Sequence, residues 1–346
     1  MLAGVVALLL ACEVLFRLLP VSSSTQSGYY IDPQIPTYPP HHRWRVATGW
    51  DLRNPQQLAS NGHGFVSARE FTPDPRAIGL IGDSYVEASM LPSGDRPGAQ
   101  LELALSARRP VYAMGSPGSS LLDYAERIRF ASQNSGVRDF VVWMEVGDVR
   151  QALCGSGNVI SACVDRLTLQ PQTVHIAEPS AVKRILRESA LMNYIVGQLK
   201  LTPEGLWQQL LSSASAAPAR GPRPGGATAM DDSAVTRQID TIVGVFFQRI
   251  APFANGRLVF VMDAAHSSAT RLTSLQALER SRFMRLAGEH GAAVVDLEPL
   301  YAAHYARSSH SLEVGPYDHQ LNADGVRIVA QAAARALNGV SEIAAR

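Results

Sequence analysis

Ser84 lies in Gly82-Asp83-Ser84-Tyr85, at the end of the apolar run Ile78-Gly79-Leu80-Ile81. A hydroxyl on a turn between a strand and a helix is held clear of the sheet. There a base and backbone N–H donors can converge on it, as a nucleophile requires. The same Asp and Ser also read as ordinary turn and N-cap residues. Other groups stand just past apolar runs in the same way: Gly115 and Gly118 in GSPGSS, Gly147-Asp148, Asp263 and, after a longer loop, Tyr317-Asp318-His319. A serine, glycine N–H groups and an Asp-His pair supply the nucleophile, oxyanion donors and base of acyl transfer. No cysteines have Cys-x-x-Cys spacing and the histidines are scattered, so the residues do not point to a metal site.

Convergence depends on the elements that carry these residues. Apolar, β-branched runs predict strands over 77–81, 110–114, 139–146, 257–262 and 292–297, with DFVVWMEV at 139–146 suited to burial on both faces. Helical spacing predicts helices over 93–108, 121 to about 133, and 232–250, the last with Val235, Ile239, Ile242, Val243 and Phe246 on one side. Strands interleaved with helices predict one α/β domain over about 77–340, a five-stranded parallel sheet with right-handed crossovers, covered on both faces. Ligands of such sheets sit beyond the carboxyl ends of the strands, where the groups above stand.

With those residues in place, the chain over roughly 61–338 resembles the SGNH (GDSL-like) hydrolases, serine esterases built on a flavodoxin-like α/β/α sandwich. Ile81-Gly82-Asp83-Ser84-Tyr85 matches the family's first block, and Asn61-x-x-Gly64-Phe65 looks like a lead-in found in exported members. Gly115 to Ser120 resembles the second block, with Ala113 where an asparagine often precedes it. Tyr317 to Gly325 resembles the last, followed by a helix over 326–337. The resemblance implies Ser84 as nucleophile, His319 as base oriented by Asp318 or a backbone carbonyl, and oxyanion or substrate contacts from Gly118, Gly147, Asp83 and Asp148. It implies no cofactor. Two positions depart from the family. Gly147 stands where an asparagine amide is the usual third oxyanion donor, a loss that typically costs on the order of 10²–10³ in rate unless the Gly147 N–H or another donor replaces it. Asp318 and His319 are adjacent, and in an Asp-x-His-Leu-Asn alignment Gln320 takes the histidine's place. His304 and His310 read as surface groups. The implied activity is a serine esterase on short acyl (acetyl) esters of cell-surface or secreted polysaccharide. The alternatives are an O-acetyltransferase on the same site, or an impaired carbohydrate-binding or assembly protein.

A net charge of +1 with 18% charged residues leaves no footprint for nucleic acid, and 46% hydrophobic content across 346 residues is ample for a core. Residues 1–21 are apolar except for Glu13 and Arg17, and read as a membrane anchor or signal segment without the usual basic start. Leu9-Leu10-Ala11-Cys12 loosely resembles a lipobox. The expected location is the bacterial inner membrane with the domain in the periplasm, or export. Cys154 and Cys163 bracket a short Gly/Ser-rich stretch and are either a disulfide or two unpaired thiols. Residues 22–76 are rich in Pro and aromatics and read as an extended arm, with His41-His42 as exposed loop residues. The Ser, Ala, Pro and Gly content at about 212–232 predicts a disordered insertion. The sequence leaves the oligomeric state open.

Overall fold

The computed structural model describes residues 2–23, 26–156, 162–174, 180–199, 232–266 and 271–339. The insertion expected at about 212–232 lies outside them as far as residue 231. The chain divides into two compact units, one drawn from 1–25, 44–57 and 178–235, the other from 26–43, 58–177 and 236–346.

The larger unit holds five strands: β1 (Ile78–Gly82), β2 (Val111–Gly115), β3 (Asp139–Met144), β4 (Leu258–Met262) and β5 (Ala293–Asp296). All neighbours pair in parallel, in the spatial order 2-1-3-4-5. That is the flavodoxin-like doubly wound order. Helices α1 (Ser84–Glu87), α2 (Pro97–Ala104), α3 (Leu121–Ser135), α4 (Asp148–Gln151), α5 (Asp232–Ile250), α6 (Ser274–Glu289), α7 (Glu298–Tyr305) and α8 (Ala323–Leu337) follow the strands.

Strand period sorts the core into two layers. Leu80, Val141, Trp143, Val259 and Val261 share one buried cluster with Leu101 of α2 and with Val329, Ala330 and Ala333 of α8. Phe260 points the other way, 5.8 Å from Phe246 of α5 and 5.1 Å from Phe283 of α6 between ring centroids. The expected strand over 139–146 ends at Met144 because Glu145 N–H turns to Asp148 Oδ2 at 2.8 Å. The expected helix over 93–108 is cut by Pro97: Arg96 is extended (φ −71°, ψ 154°), leaving a single 3₁₀ turn at Ser93–Asp95 before α2.

Part of the Pro/aromatic-rich stretch also packs in this unit. Gly28–Asp32 pairs antiparallel with Ile35–Thr37, and Asp32 meets Arg129 at 2.9 Å. Asn61 builds the turn at 61–65, its Oδ1 accepting from His63 N at 3.0 Å and Phe65 N at 3.1 Å. Gly64 has φ +76°, and a Cβ there would sit 2.2 Å from the Tyr38 carbonyl oxygen. This is a structural reason for the Asn-x-x-Gly-Phe pattern. Tyr38 in turn donates to buried Glu87 at 2.9 Å. Cys154 and Cys163 form a disulfide, so the unpaired alternative is set aside.

In the smaller unit, the helix Leu2–Leu18 spans 17 residues and exposes Leu2, Leu8 and Leu18. Glu13 pairs with Arg17 at 2.8 Å and accepts from Ala190 and Leu191 N–H at 3.0 Å each. Among the described residues, no helix is long and apolar enough to cross a membrane.

Candidate active site

The turn after β1 serves as cap and as serine mount together. Asp83 caps α1, its Oδ1 accepting from Tyr85 N at 2.9 Å, and Ser84 Oγ donates to Asp83 Oδ2 at 3.2 Å. The turn lies so close to β2 that a Cβ on Gly115 would fall 2.3 Å from Glu87 N and 2.9 Å from the Asp83 carbonyl oxygen. Arg127 of α3, 1% exposed, locks the arrangement: it donates to the Gly82 carbonyl at 2.7 Å and to the Ser119 hydroxyl. One guanidinium thus ties the serine turn to the Gly118 loop, where Gly118 has φ +76°. That backbone is the kind only glycine adopts without strain.

The end of β3 forms a carboxyl floor. Asp148, fully buried, accepts from Tyr124 OH and from Glu145 N, each at 2.8 Å, through Oδ2, while its Oδ1 has no hydrogen-bond partner among the described residues. Carboxyl oxygens of Asp83, Glu145 and Asp148 lie within 4.8 Å of one another. Burial raises all three groups, and the neighbouring carboxylates add to the rise at Glu145 and Asp148. The Glu145 carboxyl is pushed up to about 9, by burial first and then by the Asp83 charge. A divalent cation bridging the three would relieve the same crowding that protons relieve. Gly147 (φ +115°) turns its N–H, with those of Val149 and Arg150, to the Glu279 carboxylate, which accepts from the latter two at 3.1 and 3.2 Å. The expected oxyanion contact from Gly147 is therefore corrected: its donor serves Glu279. Asp148 likewise faces Tyr124 and the Glu145 backbone rather than an open pocket.

Past β4 stands His266, whose ring nitrogens, among the described residues, face acceptors: the Ala264 carbonyl at 3.2 Å, Asp263 Oδ2 at 3.5 Å, the His319 carbonyl at 2.7 Å and Glu313 Oε1 at 3.8 Å. Protonated at both nitrogens, the ring would donate to an acceptor on each side. Asp263 and the carbonyls it binds, outweighing burial, raise it to about 9. Asp263 is itself held by Tyr301 OH at 2.9 Å.

The last block forms a small hairpin. Val314 N donates to the Gln320 carbonyl at 2.9 Å, and Asn322 N to the Leu312 carbonyl at 2.7 Å. Asn322 also caps α8 and ties its Nδ2 to the Ser311 carbonyl at 2.7 Å. This register makes Glu313 and His319 diagonal neighbours, and His319 Nδ1 meets Glu313 Oε2 at 3.0 Å. The acid on His319 is therefore Glu313, a correction to the expected Asp318, whose carboxylate accepts from Gln320 N at 2.8 Å instead. His319 Nε2 has no partner among the described residues, and the side chain is 78% exposed. No hydrogen bond joins Ser84 Oγ to a histidine ring among the described residues. The two sides are nevertheless neighbours, because the Tyr85 ring lies 6.1 Å from His266, which holds the His319 carbonyl. Gln320 borders a closed recess with Tyr85, Ala88 and Leu91. His304 Nε2 pairs with the His310 carbonyl at 2.9 Å.

Glu313, His266 and Arg127 were not singled out in the sequence. Asp263-Ala-Ala-His266, just past a strand, is a signal that could have found the second; Glu313 needs the hairpin register.

No family model and no curated protein matches the chain. Among solved structures it is similar to an alpha/beta hydrolase from the metagenome of Lake Arreo, at 13% identity and TM-score 0.41 over 79% of this chain and 99% of that one. It is also similar to a member of the lipolytic G-D-S-L family from Veillonella parvula, at 13% and 0.39 over 76% and 98%. An acetyl xylan esterase matches at 10% identity and 0.41, over 75% and 99%.

Proposed function

We propose that this chain is a serine esterase acting on short acyl esters, acetyl esters above all, through an acyl-enzyme on Ser84. One observation carries the reading: Glu313 holds His319 by Nδ1 at 3.0 Å, and Nε2 has no partner among the described residues. That is the polarity in which an acid-held imidazole takes a serine proton. As Ser84 Oγ leaves Asp83 and bonds the ester carbonyl carbon, its proton passes to His319 Nε2 and the carbonyl π pair moves onto oxygen. The Gly118 N–H supports that oxygen. Collapse breaks the bond to the alcohol oxygen, which departs with the proton from His319, and water repeats the sequence to free the acid. A sugar hydroxyl in place of water would make the chain an O-acetyltransferase.

The disulfide and the exposed apolar helix Leu2–Leu18 support a periplasmic or exported domain with residues 1–21 as anchor or signal, and acylated surface polysaccharide as substrate. A C-terminal reporter active only in the cytoplasm would contradict that placement. A second reading, non-catalytic binding of an acylated carbohydrate, is favoured by the bond from Ser84 Oγ to Asp83 rather than to a histidine. Turnover of p-nitrophenyl acetate by the full chain separates the two: the esterase loses it in Ser84→Ala, and a binder never shows it.

A further inference from the structure

We infer that the molecule carries a second small-molecule site, beside the edge strand β2, for an anion headed by carboxylate or phosphate on a short apolar body. β2 ends the sheet, and the segment 66–72 is tied to it: Tyr112 OH donates to the Thr72 carbonyl at 2.7 Å, and the Phe71 and Tyr112 rings stack at 4.7 Å. Residues of that segment and of α2 line a cavity of about 750 Å³, all of it within the larger unit. That volume suits a small ligand. Small side chains leave the room, with Ala68, Gly98, Ala99 and Ala113 on the wall. Val66, Val86 and Val111 give it an apolar surface, and Leu103 of the same wall is 64% exposed. None of Asp83, Ser84, Glu145, His266, Glu313 and His319 lines it, so the inference stands apart from the esterase reading.

Charge selects the ligand. On the wall, Arg69 and Glu102 form an ion pair, while Glu70 accepts from Gly62 N at 2.8 Å and lies 3.8 Å from His41. Arg96 is the charge left over. Its Nε donates to the Leu91 carbonyl at 3.0 Å, which fixes the guanidinium plane. Its two Nη groups have no partner among the described residues. Glu87, the acid whose charge reaches it, is buried and bound by Tyr38 OH at 2.9 Å, and no ion pair joins the two. Two parallel N–H groups at the end of a guanidinium match the two oxygens of a carboxylate or phosphate. The start of α2 adds to the same polarity: no side chain caps it, and the N–H groups of Gly98 and Ala99 have no acceptor among the described residues. A cationic or neutral head would leave the guanidinium donors unmatched.

Isothermal titration of the full-length chain with hexanoate, hexyl phosphate and hexanamide tests this, because the three share a tail and differ in the head. At least one anion should bind about tenfold or more tighter than hexanamide, and the tighter of the two anions identifies the head as carboxylate or phosphate. Arg96→Gln should bring anion and amide to within about twofold of each other. Leu103→Ser, a change at an exposed position, should weaken all three alike. A measurement that needs no variant locates the site: hydrogen exchange with the tighter anion bound should slow in 66–72 and in the first turn of α2. No anion preference in the wild type, a preference intact in Arg96→Gln, or protection confined to the Ser84 turn overturns the inference.

Discussion

The floor and the rim of the candidate site are built on opposite terms. The floor, Asp83, Glu145 and Asp148, is enclosed and held by backbone N–H groups, Tyr124 and the Arg127 clamp on Gly82. The rim, Glu313 and His319, hangs on a hairpin with the imidazole 78% exposed. Burial on the floor shifts titrations and fixes positions; on the rim solvent screens charge and the side chain is free to swing. The difference assigns roles. The floor suits fixed stabilisation of charge, and the rim suits a base that moves between serine and leaving group.

The largest effect that would break this division is at the rim. Glu313→Gln should lower kcat for p-nitrophenyl acetate on the order of 10², because the imidazole loses the acid that sets its tautomer, while Asp318→Asn should leave the rate unchanged. Equal losses in both would return the orienting role to Asp318. Beneath the serine turn the sharpest probe of burial is Glu87 of α1, which burial raises to about 7 despite the hydrogen bond from Tyr38. Its folded-state value lies above that of the unfolded chain, so stability is fully present below about pH 4.5 and is lost as pH rises through 7. Glu87→Gln should therefore remove that loss, gaining on the order of 3 kcal/mol at pH 8 and nothing at pH 4 in urea unfolding. A pH-independent difference would show that burial does not shift this acid.

The elements were legible where the cause is local. All five strands fall where apolar runs predicted them, because a strand buried on both faces announces itself in composition. The turn at Asp83-Ser84 was legible for a similar reason, since a cap between strand and helix calls for those residue types. Pro97 was equally visible, yet helical spacing around it masked the break it enforces at Arg96. What escaped depends on distant pairing. Glu313 reaches His319 only through the register between 312–315 and 318–322, and the adjacent Asp318 drew the assignment by proximity in sequence. Gly147 was read as a possible donor, but the carboxylate that takes its N–H, Glu279, stands on α6, far along the chain.

Fluorophosphonate labelling of the folded full-length chain, with the adduct located by mass spectrometry, tests the central claim that His319 activates Ser84. Labelling should fall on Ser84, vanish in Ser84→Ala and slow by about 10²–10⁴ in His319→Ala. Wild-type protein that takes no label, or labelling that proceeds at full rate in His319→Ala, would contradict it.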